Sequence, residues 1–398
     1  MTNSKMKKGV LIIMSNANGW RNPKVFGGAE VKTTSIINKI KEIDWYIILP
    51  CQLHNVFAKR FSLSHLKYFP VKTLFSETNV AKDLLQGLIY TWKCVVIGWN
   101  YRNKFDLIYS STTNFSDIFP AKIISFITRR PYIVKYHISI YDEPKVLRIY
   151  KNFREEKNPK LDSFIRAVLA RITIIFLKKA KKNLVVCKYL GNQLIDCGVK
   201  NKKIALNYNG LDFEEMGKFK VKKIEKKFDI CFIGRIEKNK GLMDMIKVIK
   251  ILKKTRRNIS AVIIGDGVFL GELKNEIKKR NLEKNITITG FLGSERYIFL
   301  QQSRIFVSPT YAKEGFGLTL LEALFFNVPI IAYSHPVFEE VFSCFDSVTL
   351  IEQNKNILSE SILKSLLNKK RYSFNLDMYS LINCVKREKN ILDNLIKD

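Results

Sequence analysis

Two carboxylates eight positions apart, Glu314 and Glu322, bracket the run Gly315-Phe316-Gly317-Leu318-Thr319-Leu320-Leu321. A carboxylate accepts paired hydrogen bonds from vicinal hydroxyls such as those of a ribose, and Glu314 is placed to do the same for a sugar. The N–H groups of Gly315 and Gly317, opening a helix, suit a phosphate. Leu320, Leu321, Leu324 and Phe325 surround Glu322, which reads as sitting in the first turn of an otherwise apolar helix. A solvated face explains it poorly. Helix-dipole stabilisation is the plainer alternative, and it accounts for neither Glu314 nor the glycines. A second constellation is Gly234-Arg235 followed by Lys240-Gly241. A charge at the end of a buried strand is costly unless it meets an anion. Arg235 and Lys240 can close on one diphosphate, the first bidentately and the second as a point charge. The competing explanation is a solvated loop in a lysine-rich chain. Three weaker signals complete the set: the paired glycines Gly27 and Gly28, the lone His137 after an apolar run, and Asn209-Gly210-Leu211-Asp212. Each has an ordinary alternative, as a flexible turn, a satisfied core histidine and a plain Asn-Gly turn respectively.

These residues fall in loops between short apolar runs and longer helical patterns. Strands are expected at 9–14, 45–49, 106–109, 132–136, 183–186 and 204–207, then at 228–233, 260–264, 286–289, 305–307, 329–332 and 347–350. Wholly apolar runs of this length imply parallel strands covered on both faces by helices. Helical spacing joins Ile36, Ile40 and Ile43, and again Met245, Val248 and Leu252. Two successive α/β sets flank a polar connector at 213–227, and an amphipathic helix closes the chain. The expected domains are therefore 1–212 and 213–377, with a terminal helix at 378–398 that can pack back on the first. Ligands of open α/β sheets bind beyond the carboxyl ends of the strands, where every candidate residue above falls.

Composition narrows the function classes. The chain has 398 residues, of which 46% are apolar, so it is neither disordered nor of low complexity. Lys and Arg total 68 against 36 Asp and Glu, a net charge of +32 that points to an anionic partner or surface. The charge is uneven: residues 1–212 hold 36 cations and 14 acids, a net of +22, which leaves +10 for the remainder. The seven cysteines form no C-x-x-C pair, which fits reduced thiols in a cytoplasmic protein better than a disulfide framework or a zinc site. No apolar run approaches the roughly 20 residues of a membrane span, and Lys5, Lys7 and Lys8 lead straight into a strand, unlike a secretion signal. Any membrane contact is then peripheral. A basic amphipathic surface is expected at 151–160 and 166–182, where Phe164, Ile172, Ile175, Phe176 and Leu177 interleave with lysines.

At these residues the sequence resembles the GT-B-fold retaining glycosyltransferases of family 4, glycosyl transferases group 1. The matching pieces run in order: Gly-Gly-x-Glu, the strand-end His, Asn-Gly-x-Asp, F-x-G-R-x-x-x-x-K-G, Gly265-Asp266-Gly267, and the pair Glu314/Glu322 within E-G-F-G-x-x-x-L-E-A. Each piece alone is weak; their order and spacing are specific. The resemblance implies an α/β GT-B protein, two Rossmann-like domains facing across a cleft. It implies transfer of a sugar from a UDP- or GDP-sugar to a hydroxyl of a glycan acceptor, lipid-linked in surface polysaccharide or glycolipid synthesis, with retention of configuration. The implied catalytic residues are Glu314, Arg235, Lys240 and His137. The implied substrate-binding residues are Gly27, Gly28, Asn209, Gly234, Gly315, Phe316, Gly317, Leu318 and Glu322. Arg235 and Lys240 would hold the diphosphate, Glu322 the ribose and Glu314 the transferred sugar. No metal or other cofactor is implied, and no Asp-x-Asp occurs. The expected partners are the nucleotide-sugar, the acceptor and an anionic membrane at the inner face, and no nucleic acid. Pro336 and Val337 stand where the family usually carries Gly-Gly before a Glu, here Glu340. The rival readings are a soluble-acceptor enzyme of the same fold and a non-catalytic binder of polyanions or nucleic acid. The second lacks any recognisable nucleic-acid motif and leaves both glutamates unexplained.

Overall fold

A computed structural model describes residues 8–15, 28–54, 65–72, 80–138, 160–367 and 374–397. The chain divides into two compact units, Met1–Tyr208 together with Cys384–Asp398, and Asn209–Asn383. The first change-over lies at Tyr208, where sequence reading set it at 212, and the return falls inside the terminal helix.

The first unit is built on a parallel sheet of β1 (Lys8–Ile13), β2 (Ile43–Pro50), β3 (Leu66–Val71), β4 (Leu107–Ser110), β5 (Tyr132–Tyr136), β6 (Lys182–Val185) and β7 (Ile204–Leu206). Their order is β3-β2-β1-β4-β5-β6-β7. Around it lie α1 (Gly28–Ile37), α2 (Val80–Asn100), α3 (Phe115–Thr128), α4 (Lys160–Lys179) and α5 (Lys188–Asp196). Val10, Leu11, Ile12 and Ile13 are fully buried, as strands covered on both faces must be. The helical spacing assigned to Ile36, Ile40 and Ile43 does not hold: α1 ends at Ile37, and Ile43 opens β2. All three are buried nonetheless, because a helix end, a turn and a strand start feed the same core.

The second unit repeats the plan with β8 (Phe228–Ile233), β9 (Ala261–Ile264), β10 (Ile286–Gly290), β11 (Ser303–Ser308), β12 (Ile330–Tyr333) and β13 (Val348–Ile351), in the order β10-β9-β8-β11-β12-β13. Its helices are α6 (Phe213–Gly217), α7 (Leu242–Thr255), α8 (Leu270–Lys279), α9 (Arg296–Gln301), α10 (Leu318–Phe325), α11 (Pro336–Phe342) and α12 (Lys355–Leu367). Met245, Val248 and Leu252 of α7 are buried along one face, as their spacing predicts. The connector is tied to this unit: Phe213 stacks on Phe325 at 4.9 Å, and Lys226 Nζ donates to the carbonyls of Gln301 and Ser303 at 2.7 Å each.

The closing helix α13 (Leu381–Lys397) returns to the first unit. Its Glu388 is wholly buried, accepting from Tyr109 Oη at 2.6 Å, Lys135 Nζ at 2.9 Å and Asn207 Nδ2 at 2.8 Å. A buried ion pair survives only when its remaining valences are filled in this way. The expected basic surface is divided. Ile174 and Leu177 of α4 are core, while Phe164 and Ile175 are exposed, with Arg171, Lys178 and Lys179 exposed along the same helix. Residues 151–159 lie outside the described residues. No helix among the described residues is long and apolar enough to cross a membrane.

Candidate active site

In the second unit the strand order reverses at β8, which has β9 on one side and β11 on the other. The loops beyond β8 and β11 are therefore neighbours at the sheet's carboxyl edge. That crevice is where such sheets take ligands. The loops are stapled together. Gly241 has φ +70°, a region costly for other residues, and a Cβ there would stand 1.7 Å from the Pro309 carbonyl oxygen. Tyr311 N donates to Asn239 O at 2.8 Å. The result brings Lys240 Nζ to 2.6 Å from Glu314 Oε1, which also accepts from Thr310 Oγ1 at 3.2 Å. Both members of the pair are mostly shielded yet still reached by solvent.

His335, opening α11, lies beside this pair. Its Nδ1 accepts from Val337 N at 3.2 Å, and the Glu314 N–H is aimed at its Nε2 over a longer 3.5 Å. Burial lowers its pKa, against the pull of Glu314 and Glu339. At neutral pH His335 thus stands as an uncharged ring next to Glu314.

Glu322 departs from expectation in two ways. It is the fifth residue of α10 rather than part of its first turn, so helix-dipole stabilisation is not its explanation. Its buried carboxylate is gripped by the Arg296 fork, Nη2 to Oε1 at 2.7 Å and Nε to Oε2 at 3.2 Å. Burial opposes the Arg296 charge, but the Glu322 hydrogen bonds and attraction outweigh it and raise its pKa. Arg235 also differs from expectation. It lies two residues beyond the end of β8, is 59% exposed, and pairs with Glu237 at 2.5 Å, so desolvation does not force an anion upon it. The backbone from Gly315 to Leu318 leads into α10. Phe316 is buried against Phe342 and Tyr379, leaving only its main chain for a ligand. Gly317 caps the helix at φ +91°, and a Cβ there would stand 2.7 Å from the Phe338 ring. Gly234 continues β8, donating to Ile264 O at 3.0 Å. Asn209 is buried, and the turn it starts is held where Leu211 bridges Ser380.

In the first unit His137 follows β5 at the same edge of its own sheet. Burial, with help from Lys135 and Lys32, drives its pKa well down against a backbone hydrogen bond with Ser111, so the ring is neutral. Its Nε2 is buried without a hydrogen-bond partner among the described residues. Gly28 opens α1, whose Lys32 is among the charges acting on His137. Gly27 lies outside the described residues.

Comparison with known families decides what these loops belong to. Residues 214–376 match the model of glycosyl transferases group 1, and residues 78–215 match that of Glycosyltransferase Family 4. The chain belongs to glycosyltransferase family 4. It is 25% identical to an uncharacterised glycosyltransferase of Methanocaldococcus jannaschii over 74% of this chain and 77% of that one. It is 27% identical, over 56% of this chain and 58% of the other, to the N-acetylgalactosamine-N,N'-diacetylbacillosaminyl-diphospho-undecaprenol 4-alpha-N-acetylgalactosaminyltransferase of Campylobacter jejuni. Among solved structures, HepE of Anabaena in complex with UDP superposes with a TM-score of 0.72 at 15% identity, covering 97% of this chain and all of that one. That likeness carries the GT-B fold of two parallel-sheet, Rossmann-like domains.

Two residues of this family 4 glycosyltransferase escaped sequence reading, Arg296 and His335. Each follows a strand of the second sheet at its carboxyl edge, β10 and β12 respectively. Position after a strand was the signal available for both. Among so many cations Arg296 carried no mark, and His335 stood in a loop noticed for Pro336 and Val337.

Proposed function

We propose that this glycosyltransferase moves a sugar, with retention of configuration, from a UDP- or GDP-sugar to a hydroxyl of a lipid-linked glycan. The observation that carries the reading is the Lys240–Glu314 contact of 2.6 Å at the strand-order reversal. Without donor the two charges neutralise each other. A donor gives each a better partner: the diphosphate takes the Lys240 ammonium, and the sugar hydroxyls take the Glu314 carboxylate. Arg235, held among the described residues by an exposed contact with Glu237, can turn to the same diphosphate at little cost. As the bond to the sugar breaks, negative charge grows on the departing phosphate, and cations fixed there stabilise it more than they stabilise the bound donor. The acceptor hydroxyl attacks from the face the diphosphate leaves and passes its proton to the leaving phosphate. Glu322, steadied by Arg296, takes ribose hydroxyls through its remaining lone pairs.

The reading assigns no metal ion, the positive charge being supplied by Lys240 and Arg235. The acceptor class is supported by the printed activity of the Campylobacter jejuni relative, and the nucleotide by the UDP in the Anabaena structure. Thermal unfolding with a panel of UDP- and GDP-sugars tests the donor. A ligand at a hundred times its dissociation constant stabilises by about 2.7 kcal/mol, a clear rise in Tm. NMR of the product's anomeric proton tests retention, and EDTA should leave turnover unchanged. A flat panel, or transfer undiminished in Glu314→Gln, sinks the proposal.

A further inference from the structure

Helix α2 buries one side in the first unit: Tyr90 Oη donates to Ile48 O at 3.2 Å, Cys94 is wholly buried, and Gly98 abuts Ile124 of α3. Its other side should be polar in a solvated domain. It is not. Leu85, Leu88, Trp92, Val96 and Trp99 follow one another in steps of three and four and are all exposed, Trp92 by 69%. Five large apolar side chains in one unbroken stripe exceed the scattered apolar exposure of an ordinary surface.

The stripe belongs to a wider layer. Helices α2, α3 and α4 each link strands that progress in the same direction across the sheet, so right-handed crossovers put all three on one face. They pack in sequence, α2 on α3 and α3 on α4. Their exposed side chains include Phe126 (78%), Phe164 and Ile175. Among the described side chains of these helices the charges offered are of one sign: Lys93, Lys122, Arg171, Lys178 and Lys179. Within 85–100, 115–128 and 164–179 the lone acid is Asp117, which is fully buried under Ser15, Ser111 and Thr112. Arg102, just past α2, lies 4.4 Å over the Trp99 ring.

We propose that this helical layer, centred on the α2 stripe, docks the enzyme on a membrane surface bearing anionic lipid. Apolar side chains ending in tryptophan seat at the headgroup boundary, and a rim of cations, with no exposed acid among the described side chains of these helices, meets lipid phosphates. A protein partner would want acids for register; a lipid surface needs only this mixture. The inference deepens the proposed function, on whose lipid-linked acceptor its purpose rests, and it centres the membrane contact on α2 rather than on the basic stretches 151–160 and 166–182.

Flotation of the full chain with phosphatidylcholine vesicles, with and without phosphatidylglycerol, tests it. The enzyme should float with the anionic vesicles and lose that binding as salt rises. Replacing Trp92 and Trp99 together by Ser should cut the bound fraction by roughly tenfold. Arg102→Gln and Lys122→Gln should weaken it by roughly fivefold each. All variants should keep the wild-type Tm and its rise with UDP, which reads the donor site separately from the docking face. An enzyme that fails to float with anionic vesicles overturns the inference, as does a W92S/W99S variant that floats like wild type. A wild-type dimer that this double substitution converts to monomer also overturns it, since the stripe would then face a second copy.

Discussion

The two units each contain a shielded lysine–glutamate pair of similar length, and the pairs serve opposite ends. Lys135 and Glu388, 2.9 Å apart in the first unit, are sealed from solvent, and the carboxylate is further held by Tyr109 and Asn207. Lys240 and Glu314, 2.6 Å apart in the second, keep 15% and 19% of their side-chain surface open at a strand-order reversal. The first pair joins a helix to a sheet and has no vacancy for a newcomer. The second joins two loops, with water able to reach it and a ligand able to divide it. Charge type does not separate structure from chemistry here. Access and surplus hydrogen-bonding capacity do.

The contrast is broken most forcefully at the sealed pair. Glu388→Ala strands the Lys135 ammonium in the core and should cost about 3–5 kcal/mol of stability, seen by chemical denaturation. Replacing both members by apolar residues of matching size should recover most of that loss. At the open pair the damage should go to turnover instead. Lys240→Ala should lower kcat by about 10²–10³ while Tm stays within a few degrees, because the leaving diphosphate loses a fixed cation. Equal Tm losses at the two sites would erase the distinction.

Acidity sharpens the comparison further. The folded-state pKa of His137 is depressed, so below the unfolded value near 6.5 the unfolded chain takes up a proton that the native ring refuses. Stability from this group is therefore complete above that pH and falls as pH drops, by at most about 1.4 kcal/mol per pH unit. Asp117, whose pKa burial pushes up to about 6 against its hydroxyl donors, titrates in the opposite sense. The difference between wild type and His137→Gln, followed by denaturation from pH 7 to 5, isolates the histidine: the variant should lose less. The smallest effect belongs to the exposed Arg235–Glu237 contact. Glu237→Ala should change stability by no more than about 0.5 kcal/mol and leave donor affinity no weaker, since it frees the guanidinium.

Most of the architecture was legible because most of its strands are short, predominantly apolar runs. All twelve expected strands are present, with ends shifted by two residues at most. The missing one was β3, whose Leu66-Lys67-Tyr68-Phe69-Pro70-Val71 carries a lysine and a proline tolerated only because it is an edge strand. Glu314 and Lys240 were found as candidates, and their contact with one another could not be, since it depends on Gly241 and Pro309 meeting across loops. Arg296 was hidden for a similar reason: its meaning comes from Glu322, 26 positions away. The α2 stripe was invisible because an apolar helix normally reads as buried on every side. Glu388 misled in the reverse direction, a charge on a helix that turns out to be sealed in the core.

The return of α13 to the first unit also governs how the polypeptide can mature. Lys135 leaves the ribosome 253 residues ahead of the carboxylate it needs. Domains ordinarily fold in the order they are synthesised. Here the second unit has all its strands before the first receives its last helix, so the lobe begun earliest is completed latest. Until then it carries an uncompensated ammonium and an open flank, so a chain truncated before Glu388 should be left with a Lys135 that has lost its carboxylate partner.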